Sequence, residues 1–227
     1  MSVETTKASA TATATAAVAA ARPLLRGRLH QVAFVASLVG LIWLVDTAPT
    51  PRARAVAWIY GLASALLYLT SSSYHVFAKS PRARRIMQRV DHSMIFILIA
   101  GTFTPIAVLG VHGPWKWAAL VAVWAGALAG VAFKVFWLDR FPKLGGAMYI
   151  VVGWAGIVIL PAMWHRPGTL ALIAAGGILY TLGAILFALH KPILSERWFG
   201  YHEVWHAFGV AAGVVLFVAN AGLVRAG

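Results

Sequence analysis

His202 and His206, in the stretch YHEVWH, stand four residues apart. On a helix that spacing puts both imidazoles on one face, with Cβ atoms about 5 to 6 Å apart. One metal ion at about 2.0 to 2.1 Å from each nitrogen fits between them. His75 closes the stretch SSSYH, and Ser71 lies one helical turn before it on the same face. Asp91 opens the apolar segment that begins DHSMIF. The chain has no cysteine, so a transition-metal site must be built from His, Asp or Glu. Glu203 completes an H-E-x-x-H pattern, in which a glutamate can act as general base of a zinc protease. A protease would also need a third ligand and an entry route for an extended peptide, and Glu203 is expected instead to face Arg197 or the lipid headgroups.

Plainer readings stand beside the chemical ones. A carboxylate at the start of a helix, as expected for Asp91, satisfies free N–H groups and meets the positive end of the helix dipole. Ser71 can bond to its own helix. His30, His92 and His190 are expected at the same membrane side as the three candidate ligands, so depth alone does not single those out. His112 and His165 fall at the opposite side and carry no assigned role.

The elements that must position these residues are membrane helices. The sequence is 61% hydrophobic and 11% charged, with apolar runs longer than a soluble core helix needs. Seven such segments are predicted, at about residues 31–48, 55–77, 92–110, 115–137, 145–163, 170–189 and 202–222. The fold class is therefore an all-α integral membrane protein of seven transmembrane helices. Residues 1–25, rich in Ala and Thr, read as a disordered cytoplasmic tail, and residues 26–227 as one membrane domain.

The formal charge of +13 would in isolation suggest a nucleic-acid partner. The basic residues sit mostly in short connections, however, where they set membrane orientation instead. Fourteen of the nineteen Lys and Arg residues fall on the side of the N-terminus, and five (Arg52, Arg54, Lys116, Arg166, Arg225) on the other. The N-terminus is thus expected inside and the C-terminus outside. Trp115, Trp117, Trp137, Trp164 and Trp198 fall near segment ends, where amphipathic rings favour the interface. Gly126 with Gly130 and Gly209 with Gly213 form small-xxx-small pairs suited to close helix packing.

This orientation brings Ser71, His75, Asp91, His202 and His206 to the cytoplasmic side. Three neutral imidazoles leave the fourth position of a tetrahedral ion open, as in catalytic zinc sites. Water there is acidified toward a pKa of about 7. Asp91 would orient or deprotonate it, and Ser71 would steer Asp91 or bond a substrate oxygen.

SSSYH, VDHSMIFILIAGTFTP and YHEVWHAFGV together resemble the three motifs of the hemolysin III family. That family lies within the progestin and adipoQ receptor superfamily, which is related to alkaline ceramidases. The resemblance covers the chain after about residue 25 and implies seven helices with the N-terminus inside. It further implies that His75, His202 and His206 ligate Zn2+, with Asp91 and Ser71 beside the bound water. Thr102 and Thr104 belong to the family-like GTFTP, and Pro105 is expected to kink the third helix. The leading expectation is a zinc-dependent hydrolase of a lipid amide or ester, acting in membrane-lipid homeostasis in a bacterial plasma membrane. Its partners would be membrane lipids and a lipid substrate, without nucleic acid. A cytolysin or pore-forming protein is one alternative, and a membrane-state sensor or receptor with structural zinc is another.

Overall fold

The computed structural model describes residues 23–227 of the chain. Most of the expected tail lies outside the described residues. Seven α-helices follow in order: α1 Arg28–Thr47, α2 Pro51–Phe77, α3 Pro81–Pro105, α4 Trp115–Trp137, α5 Pro142–Ala155, α6 Pro167–Ala188 and α7 Tyr201–Ala226. Six are long and apolar enough to cross a membrane, while α5 contributes a shorter apolar helix. No β-sheet occurs among the described residues.

Helix starts follow local chemistry. Thr50 and Ser80 accept the backbone N–H of Ala53 and Ala83, each at 3.1 Å, and Pro51 and Pro81 occupy the first helical positions. There a missing N–H costs nothing and the fixed φ suits the helix. Ser80 thereby corrects the expected start of the third helix near residue 92. The basic stretch PRARRIMQRV is helical, and Asp91 sits ten residues inside α3, about 15 Å along it. Its reading as a helix cap is excluded, because Ser80 holds that role.

Pro105 is the last residue of α3, and Ile106–Gly110 continue as a π-helical turn. Proline removes one helical N–H and crowds the preceding turn, so the helix widens where it was expected to kink. Thr104 is buried and donates to the Ala100 carbonyl at 2.7 Å, while Trp124 of α4 donates to Thr104 at 3.1 Å. The fifth segment is α-helical only to Ala155 and becomes a 3₁₀-helix over Gly156–Met163, with Pro161 inside. Its several glycines lower helix propensity there.

The bundle closes by packing α1 against α2 and α7, α2 against α3, α3 against α4, and α6 against α7. One apolar core, with Phe96, Phe103, Ile106, Val123 and Met163, joins α3, α4 and the 3₁₀ segment to α7. A second, with Leu44, Val56, Tyr60 and Val224, joins α1, α2 and α7. A third, with Ala33, Leu67, Tyr68 and Leu98, lies between α1, α2 and α3. Gly130 is a true close approach, since a Cβ there would meet the Phe96 ring. Outside the bundle, Val32, Val35, Val39, Val121, Leu128, Val158 and Trp164 are exposed. So broad an apolar exterior suits acyl chains rather than water.

Candidate metal centre

The C-terminal end of α2 and the start of α7 meet at one end of the bundle, and each brings histidine. The α2 contribution is His75; α7 contributes His202 and His206, one turn apart. Their ring centroids form a nearly equilateral triangle, 4.7 Å for His75 with His202, 4.9 Å for His75 with His206 and 4.8 Å for His202 with His206. One nitrogen from each lies within 4.8 Å of the other two. His202 Nε2 and His75 Nε2 are 3.2 Å apart, and a tetrahedral ion with zinc-like bonds holds its ligand atoms about 3.3 Å apart. His206 is buried, and its Nδ1 has no hydrogen-bond partner. Buried polar atoms are rarely left orphaned, so the donor set and this nitrogen together fit a metal ion held by three imidazoles.

Ser71 and His75 are one turn apart on α2, with Ser71 further from the helix end. Both Ser71 and Asp91 are buried, and the Ser71 hydroxyl faces the Asp91 carboxylate across the α2–α3 contact. The structure thus gathers the three histidines at one point, with Ser71 one turn of α2 away from His75.

Two participants at this end went unassigned in the sequence. His30, in the first turn of α1, is buried and stacks on His206 with ring centroids 4.0 Å apart and planes at 9°. Tyr68 meets His30 edge-on at 5.2 Å. The parallel stack fixes the plane of His206, which three-residue motifs cannot reveal because α1 and α7 are distant in sequence. Phe187 of α6 stands edge-on to His202 at 5.2 Å and adds an apolar wall.

The second participant is Arg26. Glu203 is completely buried and faces neither Arg197 nor headgroups, which corrects the expectation for it. Its carboxylate accepts the Gly200 N–H at 2.8 Å and forms an ion pair with Arg26 Nε. With both oxygens engaged, Glu203 is a clamp, and the H-E-x-x-H reading as a protease base loses its support. Pro23–Leu25, assigned above to the tail, are held too: Leu24 N–H donates to the Arg197 carbonyl at 2.9 Å. Gly27 adopts φ +80°, where an added Cβ would press on the His75 Cβ at 2.7 Å, so glycine is required by both conformation and space. An open cleft of about 210 Å³, lined by Pro23, Leu24, Arg26, Arg28, His75 and Val76, leads from this strap to His75.

Removing Arg26 leaves a buried carboxylate without its cation. Arg26→Ala is expected to lower stability by about 3 to 5 kcal/mol, seen as a lower melting temperature in detergent, and Arg26→Lys is expected to recover part of it. An unchanged melting temperature would show that the pair carries no net stability.

The model of the family described as Haemolysin-III related matches residues 18–217. Hemolysin-3 of Bacillus cereus is 33% identical over 193 residues, spanning 83% of this chain and 85% of that protein. The Hemolysin-3 homolog of Bacillus subtilis (strain 168) is 31% identical over 196 residues, with 83% and 87% covered. Monocyte to macrophage differentiation factor of Homo sapiens is 23% identical over 194 residues, with 84% and 79% covered. With its apolar helices and these relatives, the chain is a multi-pass membrane protein that belongs to the hemolysin III family, within the progestin and adipoQ receptor superfamily.

Proposed function

We propose that the protein is a zinc-dependent, ceramidase-like hydrolase that splits a lipid amide or ester and serves membrane-lipid homeostasis. It crosses a bacterial plasma membrane seven times with its N-terminus inside, as the excess of basic residues on that side favours. The observation that carries the reading is the convergence of three imidazoles, one with an orphaned buried nitrogen, with the buried Ser71 and the Asp91 it faces one turn of α2 away from His75.

His75, His202 and His206 hold the zinc, and His30 keeps the His206 ring in plane. Zinc, when bound, supplies Lewis acidity that lowers the pKa of water from 15.7 to about 7. Asp91 accepts the proton of the attacking water and returns it to the leaving amine or alcohol, so that the carbonyl carbon gains oxygen as its C–N or C–O bond breaks. Ser71 donates to Asp91 and fixes which oxygen faces the water. Phe187 and the bundle core exclude bulk water, while the apolar exterior admits acyl chains laterally from the bilayer.

The purified protein, given ceramide and a panel of fatty amides and esters in neutral detergent, is expected to release fatty acid and amine or alcohol in equal amounts by mass spectrometry. A chelator is expected to stop the release. Zinc bound without turnover on any member of the panel would contradict the hydrolase reading and favour a sensor with structural zinc. A cytolysin is the second reading, because the Bacillus cereus relative bears the name Hemolysin-3; dye release from liposomes is its signature.

A further inference from the structure

Apart from the three clustered histidines, α4 carries a charge that no other described residue neutralises. Lys134 lies in the last turn of α4 and is only 2% exposed. Among the described residues the ion pairs are Arg26 with Glu203 and Arg89 with Asp139, so the acid nearest Lys134 in sequence is already engaged. No hydrogen bond joins its ammonium to another described residue. It stands 4.5 Å over the Tyr149 ring, which attracts a cation but offers no lone pair in its plane of approach. The Tyr149 hydroxyl is committed elsewhere, donating to the His92 carbonyl at 2.9 Å. An unpaired ammonium on so deeply buried a side chain in a membrane helix is costly and points to a partner that reaches it from outside.

The surroundings of Nζ say what kind of partner. Lys134 Nζ rests against Gly145, where an added Cβ would collide with it. Gly145 belongs to the first turn of α5, a helix of 14 residues whose N-cap, Phe141, gives no side-chain cap and whose first turn has no acid. The backbone N–H groups of residues 143 and 144 therefore lack helical partners and face outward at the positive end of the helix dipole. An ammonium beside an uncapped helix N-terminus sets like polarity against like polarity. Both features call for one oxyanion in the same place. Close by in the chain, Trp137, Phe141 and Leu144 are exposed, apolar surface suited to acyl chains.

We propose that Lys134 Nζ and the first-turn N–H groups of α5 hold the phosphate of an anionic membrane lipid, whose chains lie on Trp137, Phe141 and Leu144. The site uses none of the three clustered histidines and does not depend on the hydrolase reading.

The test uses the full chain in a neutral sugar detergent, titrated with phosphatidylglycerol or with diacylglycerol of the same tails. Phosphatidylglycerol is expected to bind and raise the melting temperature, and diacylglycerol is not. Lys134→Met is expected to bind phosphatidylglycerol about tenfold more weakly, with metal content unchanged, while Lys134→Arg keeps most of the affinity. Gly145→Ala, which fills the space beside Nζ, is expected to weaken binding in the same direction. If Lys134→Met does not fold, the wild-type comparison of the two lipids still decides. Equal stabilisation by both lipids, or unchanged phosphatidylglycerol affinity in a folded Lys134→Met, would overturn the proposal. Inorganic phosphate alone raising the melting temperature as far as phosphatidylglycerol would assign the site to a soluble anion and overturn the lipid.

Discussion

Asp91→Asn is expected to keep its metal and to lower kcat on the lipid substrate by about 10² to 10⁴-fold, the usual contribution of a positioned general acid–base group. The amide has nearly the shape of the carboxylate and can still face the Ser71 hydroxyl, so the α2–α3 contact survives. What it cannot do is take a proton. Asp91 lies ten residues inside α3 and away from the cap at Ser80, which leaves the helix terminus no use for its charge. A folded Asp91→Asn with unchanged kcat would reduce Asp91 to a packing role. Loss of metal in the same variant would instead make it part of the ligand sphere. Ser71→Ala is the milder counterpart, since it loosens Asp91 without removing the proton acceptor.

His75→Ala is expected to abolish turnover entirely, falling to the uncatalysed background. α7 supplies two ligands by itself, but its pair cannot build a three-imidazole site without the ligand that α2 brings across the helix contact. The same substitution separates the competing functions. A hydrolase loses product formation, whereas a pore former keeps dye release from liposomes, because bilayer permeation does not need the metal. Product formation that survives in His75→Ala would place the chemistry elsewhere in the protein.

Much of this site was legible before any coordinates, and for identifiable reasons. The i, i+4 spacing of His202 and His206 fixes a shared helix face, and counting basic residues put the end of α2 and the start of α7 on one expected membrane side. Local signals were also present for α3 but were outweighed: Ser80–Pro81 is a helix start, yet the charged PRARRIMQRV masked it beside an apolar run. That misplaced the start of α3 and made Asp91 look terminal. Other features had no local signal at all. The Arg26–Glu203 pair joins residues 177 positions apart, and the His30–His206 stack depends on α1 lying against α7. Lys134 read as one more loop-side basic residue in the charge count, because its burial and its neighbour Gly145 are products of packing between α4 and α5.

The decisive measurement is the metal content of the detergent-purified protein by elemental analysis, beside that of the His202→Ala, His206→Ala double variant. About one zinc per chain, lost in the variant, is the expected result. No metal in either protein after zinc is supplied would contradict the metal centre and, with it, the hydrolase.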